Sequence, residues 1–231
     1  MAGVIAIDGE TAAGKTAVGR ELARRLGCPF LDTGIMYRAI TWLARRRGVA
    51  MDDEPALGRL AREAALGPPV TGEDGNMGNT ILLDGQPLGP ELRAPEIDAH
   101  VSLVSAVPAV RRELVLQQRE MAATAGDMVM VGRDIGTVVL PDADLKVYLT
   151  ASPEVRARRR HADLLAQGHA ADLAQVLQDT RRRDRIDSQR QDSPLARADD
   201  ALLLCTDNLT IDQAVETIRE AALARAGQTR P

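Results

Sequence analysis

The stretch that decides the reading is Val4-Ile5-Ala6-Ile7-Asp8-Gly9-Glu10-Thr11-Ala12-Ala13-Gly14-Lys15-Thr16. Four apolar residues in a row, Val4 to Ile7, have the pattern of a short buried strand. Gly9 to Thr16 then fits G-x-x-x-x-G-K-[ST] without a mismatch. Val18, Leu22 and Leu26 follow at helical spacing, with Gly27 as a stop. Such a loop binds anions with its backbone. The glycines permit a tight turn whose N–H groups converge on phosphate oxygens, and the positive end of the following helix points at the same place. Lys15 is suited to reach β- and γ-phosphates, and the Thr16 hydroxyl to bind Mg²⁺. Lysine is otherwise rare here: Lys15 and Lys146 are the only two, against 27 arginines.

Outward from that stretch, apolar strand patterns alternate with helical ones. Phe30-Leu31 leads into Asp32-Thr33-Gly34, Met128 to Val131 leads into Gly132-Arg133-Asp134, and Leu145 to Leu149 and Leu202 to Leu204 follow. Helical spacing is expected after Gly34, over Pro55 to Leu66, through Pro95 to Ala125 with Pro108 opening a second helix, over Arg156 to Leu165 and Leu173 to Arg190, and after a Thr210 cap. The tail from Gly227 is expected to fray. This alternation predicts a three-layer α/β fold, a parallel sheet covered on both faces with ligands at the carboxyl ends of its strands. Residues 67–95 break the pattern. Gly67-Pro68-Pro69, Gly72, Gly75-Asn76, Gly78-Asn79, Asp84-Gly85 and Gly89-Pro90 punctuate short apolar runs, which reads as a small inserted antiparallel β lobe within one domain spanning 1–231.

Composition narrows the function. A net charge of −4 argues against a nucleic-acid polymer as partner. Four aromatic residues, Phe30, Tyr37, Trp42 and Tyr148, leave base recognition to hydrogen bonds. Cys28 and Cys205 are too few for a disulfide framework and are expected as small buried residues in a reducing compartment. Neither a leader pattern nor an apolar run of ~18 residues is present, so the expectation is a cytoplasmic monomer with no membrane contact.

Asp32-Thr33-Gly34 with Tyr37-Arg38 offers a second anion site, or an ordinary helix cap with a solvated arginine. Gly132-Arg133-Asp134 puts opposite charges at a strand exit, which suits a phosphate or a structural ion pair. Arg156-Ala157-Arg158-Arg159-Arg160 and Arg181-Arg182-Arg183-Asp184-Arg185 lie on successive helices around Gly168, and region 156–190 reads as a lid. About half of those arginines are expected at the surface. A GTPase reading is weaker, because there is no N-K-x-D segment and no D-x-x-G follows the loop at the usual place.

The ordered segments Asp32-Thr33-Gly34…Met36-Tyr37-Arg38, Gly132-Arg133-Asp134-Ile135-Gly136-Thr137-Val138-Val139, Pro141-Asp142-Ala143 and Ser193-Pro194-Leu195 resemble bacterial cytidylate kinases, over about residues 4 to 225. The resemblance implies a nucleoside-monophosphate-kinase-like core with a monophosphate-binding lobe at 67–95 and a helical lid. It implies transfer of the γ-phosphoryl group of ATP to CMP or dCMP, with Mg²⁺. By the same resemblance Gly9, Glu10, Thr11, Ala12, Ala13, Gly14, Lys15, Thr16 and Ala17 hold ATP phosphates, and Thr16 serves the metal. Thr33, Arg38, Arg133 and Arg183 surround the acceptor phosphate. Ser102, Arg111 and Asp134 read cytosine, and Asp187 and Arg190 hold the sugar. Arg156 and Arg159 join Lys15, Arg133 and Arg183 as charge-stabilising groups from the lid. The chemistry is coherent: a carboxylate suits the cytosine amino group, and arginine or serine donors suit its acceptors. The weaker alternatives are an adenylate- or shikimate-like acceptor, or a nucleotide-binding regulatory module. Two departures stand out. Acidic Glu10 must point away from phosphates. Val131 replaces the family's usual aspartate, so any further carboxylate near the metal is expected from Asp8 or Asp134 at best.

Overall fold

The computed structural model describes residues 3–71 and 77–228. The chain runs through β1 (Val4–Gly9), α1 (Lys15–Leu26), β2 (Phe30–Asp32), α2 (Gly34–Arg46) and α3 (Glu54–Glu63). It continues through β3 (Leu66–Thr71), β4 (Met77–Leu83), β5 (Gln86–Leu88), α4 (Pro95–Ala106) and α5 (Pro108–Ala125). The last part is β6 (Met128–Val131), β7 (Leu145–Thr150), α6 (Pro153–Ala166), α7 (Leu173–Gln189), β8 (Leu202–Cys205) and α8 (Ile211–Gln228).

Five strands form one parallel sheet in the order β2-β6-β1-β7-β8. Ile5, Ala6 and Ile7 are fully buried, as a central parallel strand requires. Two apolar clusters cover the two faces. One joins Ile5, Ile7, Val129 and Val131 to Val18 and Leu22 of α1 and Val215 and Ile218 of α8. The other joins Ala6 and Met130 to α2, α3, α4 and α5. Gly19 brings α1 close to the sheet, since a Cβ there would sit 2.5 Å from Val131 Cγ1. Val131 is therefore a core side chain facing α1.

The second sheet, β3-β4-β5, is antiparallel. Its hairpin turns at Asp84-Gly85, both with positive φ, as the Asp-Gly pair predicts. Ile81, Leu83 and Leu88 are buried in the same cluster as α2 and α3, which fastens this sheet to the main core. Four local expectations change. Residues 64–66 leave the helix, because α3 stops at Glu63 and β3 begins at Leu66. Gly78-Asn79 lies within β4 rather than in a turn, and the expected turn residues Gly72 and Gly75-Asn76 fall outside the described residues. Thr210 does cap α8, exchanging hydrogen bonds with Gln213 in a capping-box arrangement. The helix then continues to Gln228, so Gly227 is helical and residues 229–231 lie outside the description. Cys205 is exposed rather than buried, and both cysteines are free.

Topology positions the site. Because β6 lies between β1 and β2, the Gly132 segment emerges between the Gly9 loop and the Asp32 segment. Val131 is level with Ile7 on one side and Asp32 on the other.

Candidate active site

The carboxyl edge of the sheet opens into one cleft of about 1680 Å³. Single small-ligand pockets are usually about 300–1,000 Å³, so this volume suits two ligands.

The Gly9 loop forms one wall. Gly9 itself has φ 149, and a Cβ would sit 2.0 Å from Leu149 O, so only glycine lets β1 leave the sheet here. Gly14, with φ 97, opens α1. Lys15 folds back over the loop, donating from Nζ to Gly9 O at 2.7 Å and Glu10 O at 2.6 Å. Burial lowers its proton affinity well below that of an ordinary lysine, and Arg133 adds to that. Glu10 turns away, accepting from Thr150 Oγ1 at 3.1 Å. The Thr16 hydroxyl donates to Asp32 Oδ2 at 2.6 Å, and Asp32 Oδ1 accepts from Gly34 N.

Asp8 and Asp134, the carboxylates expected near the metal at best, are both engaged in other hydrogen bonds. Asp8 accepts from Ile135 N and Gly136 N, each at 2.7 Å, and so starts the π-helical turn Ile135–Val139. Burial raises its pKa to about 6, against the opposing pull of those two N–H groups. Asp134 lies among arginines instead. Arg111 Nη2 donates to its Oδ2, and Arg190 Nη2 reaches its Oδ1 at 3.2 Å. Arg111 is 1% exposed and stacks 5.4 Å from the Tyr37 ring. Asp32, read from sequence only as part of an anion site or helix cap, is the carboxylate hydrogen-bonded to Thr16.

Arg133 donates from Nε to Asp187 Oδ2 at 2.8 Å and from Nη2 to Thr11 Oγ1 at 3.1 Å. Burial raises the Asp187 carboxyl, but the adjacent Arg133 outweighs it and leaves the pKa below the usual range. Gly132 keeps this turn tightly packed: a Cβ there would sit 2.6 Å from Ile135 Cδ1 and 2.7 Å from Thr33 Oγ1. Arg183 also lines the cleft, and burial pushes its pKa down to about 10. Thr33, Arg38, Ser102, Arg111, Arg133, Asp134, Arg183, Asp187 and Arg190 thus share one cavity with Thr11 to Ala17.

The two arginine runs divide as expected. Arg158, Arg181, Arg182 and Arg185 are exposed, whereas Arg156, Arg159, Arg160 and Arg183 turn inward. Arg159 lines the cleft and donates to Thr206 O at 2.6 Å. Arg156 has a different position from that expected of a lid residue. It is buried behind the loop, donating to Thr11 O, Asp184 Oδ2 and Ala151 O. Asp184 in turn accepts from Thr11 N at 3.2 Å, so the two fix the loop's backbone. Arg160, which spacing alone did not distinguish from its neighbours, lines the cleft.

Comparison with known proteins agrees with this geometry. The family model described as cytidylate kinase matches residues 5–223. A cytidylate kinase of Rhodococcus opacus (strain B4) is 48% identical over 224 residues, covering 97% of this chain and 96% of the relative. One from Chromobacterium violaceum is 48% identical over 217 residues, covering 94% of each. Among solved structures, an uncharacterized protein from Eubacterium ventriosum shares the fold at a TM-score of 0.52 and 13% identity, over 96% of this chain and 98% of that one.

Proposed function

The chain belongs to the cytidylate kinase family and transfers a phosphoryl group from ATP to CMP or dCMP, and from that premise we propose how its own residues do so. The observation that carries the proposal is the shared cleft, lined by both a main-chain anion loop and a set of guanidinium groups.

The ATP phosphates rest on the N–H groups of residues 9–17. Lys15 leaves Gly9 O and Glu10 O to take the β/γ-phosphates, which supply the counter-charge its burial lacks. Thr33, Arg38, Arg133 and Arg183 hold the acceptor phosphate, with Arg133 kept in place by Asp187 and Thr11. Ser102, Arg111 and Asp134 read cytosine, and Asp187 and Arg190 address the sugar. The acceptor is already an anion, so no general base is needed. Positioning and charge stabilisation account for the rate. Arg159, anchored at Thr206, adds charge on the donor side. Arg156 contributes by holding the loop rather than by touching the reacting atoms.

Mg²⁺ fits the Thr16 and Asp32 pair: it typically binds through one or two carboxylates plus substrate phosphates. When bound, it neutralises charge on the β- and γ-phosphates. Asp32 thereby supplies near Thr16 what Val131, committed to the core against α1, does not. Asp32→Asn is expected to raise the Mg²⁺ concentration needed for half-maximal binding of a non-hydrolysable ATP analogue about tenfold. An unchanged Mg²⁺ requirement in calorimetric titration argues that Asp32 only orients Thr16.

Region 67–95 serves as the monophosphate lobe and 156–190 as the lid of a single domain, as the burial of Ile81 and Leu83 against α2 supports. We place the protein in the cytoplasm as a monomer without a nucleic-acid partner. The placement of both anion sites within one chain and the free cysteines support this. No described helix is long and apolar enough to cross a membrane.

A transfer assay over CMP, dCMP, UMP, AMP and shikimate tests the assignment. CMP or dCMP as best acceptor is the expected result. AMP or shikimate as best acceptor, or ATP binding without turnover, contradicts it.

A further inference from the structure

Asp98 lies on α4, one turn before Ser102, and is not among the residues lining the cleft. Three arginines that do line the cleft nevertheless converge on it. Arg38 reaches its Oδ1 from α2 at 2.5 Å, and Arg160 pairs with its Oδ2 from α6. From α7, Arg183 has Asp98 as the strongest opposite charge acting on it, and its Nε has no hydrogen-bond partner. Three helices, α2, α4 and α6, are thus joined at one carboxylate, and the Arg183 charge on α7 lies within its field. Arg38 has a second anchor, donating from Nη1 to Leu92 O at 2.9 Å.

The charges explain why a carboxylate is needed there. Arg38, Arg133 and Arg183, read as ligands of one phosphate, repel each other, and a partly dry site screens them poorly. A carboxylate placed between Arg38 or Arg183 and the phosphate would compete with it. One behind the arginines offsets the repulsion and leaves their inner faces open.

We propose that Asp98 is a positioning residue that sets the acceptor-phosphate arginines from behind and, through Arg160, couples their alignment to the position of lid helix α6. The inference rests on the reading of Arg38 and Arg183 as acceptor-phosphate ligands. With α6 in place, Arg160 occupies Oδ2 and leaves Oδ1 to Arg38. With Arg160 displaced, both oxygens are open to Arg38 or Arg183, which then turn from the cleft to pair with them. Consistent with this crowding, burial raises the Asp98 carboxyl, but Arg38, Arg160 and Arg183 outweigh it and hold its pKa below the usual range.

The test is calorimetric binding of CMP and of cytidine, in the presence of a non-hydrolysable ATP analogue. The variants are Asp98→Asn, Arg160→Gln, their combination and Arg38→Ala. Asp98→Asn should weaken CMP about tenfold and leave cytidine unchanged, because only the phosphate is read by these arginines. Arg160→Gln should weaken CMP severalfold, and the double variant should be no weaker than Asp98→Asn alone. Two results overturn the proposal: an unchanged CMP-to-cytidine ratio in Asp98→Asn, or single losses that multiply in the double variant. If Asp98→Asn fails to fold, Arg160→Gln decides alone, and an unchanged ratio there overturns it. Loss of the ratio in Arg38→Ala but not in Asp98→Asn removes only the role of Asp98. No loss in Arg38→Ala removes the acceptor-phosphate reading itself.

Discussion

Replacing Lys15 with methionine is expected to lower turnover by roughly a thousandfold, the scale of losing a charge-stabilising donor in a phosphoryl-transfer site. The geometry makes the substitution clean. Methionine matches the aliphatic stem of Lys15, which is already 7% exposed and packed into the loop. Without ligand, the ammonium rests on two carbonyls, Gly9 O and Glu10 O, with no carboxylate in hydrogen-bonding contact. Burial already disfavours the charge, so its removal should leave the melting temperature unchanged or raised. Loss of turnover with intact folding therefore isolates the catalytic role. Near-normal steady-state kcat in Lys15→Met refutes the assignment of this lysine to the transferring phosphates.

The second large effect concerns cytosine. Asp134→Asn is expected to reduce the preference for CMP over UMP from on the order of a hundredfold to near unity, because a cytosine amino group needs an acceptor that uracil does not. It also removes the carboxylate shared by Arg111 and Arg190. Arg111 is almost fully buried, and uncompensated buried charge costs about 3–5 kcal/mol, so this variant should also melt earlier. Two readouts separate the roles. A lower melting temperature with the CMP to UMP ratio preserved assigns Asp134 to structure alone, whereas a collapsed ratio at a permissive temperature assigns it to base reading.

Much of this site was legible because it is carried by local chemistry. The Gly9 loop binds through backbone, so its spacing suffices to place it. The strand exits at Asp32 and Gly132 announce themselves by polar residues directly after apolar runs. What the sequence did not reveal depends on long-range pairing. Nothing local indicates that β6 inserts between β1 and β2, and that insertion is what brings Arg133 to Thr11. Asp32 and Asp98 resemble any helix-flanking aspartate until the fold presents Thr16 to one and Arg38 with Arg160 to the other. Arg156 and Arg160 sit four residues apart in one basic run, yet one faces the loop's back and the other the cleft. Asp8 sits beside the loop in sequence, yet its carboxylate accepts from the N–H groups of a turn 127 residues away.

The central claim is that two anion sites stand side by side in one cleft and hold two nucleotides at once. The most direct measurement is calorimetric binding of a bisubstrate analogue that joins adenosine and cytidine through five phosphates. One molecule should bind per chain, at least about a hundredfold tighter than ATP or CMP alone, and either nucleotide should displace it. An affinity no greater than that of ATP, or continued tight binding with CMP bound, contradicts the account.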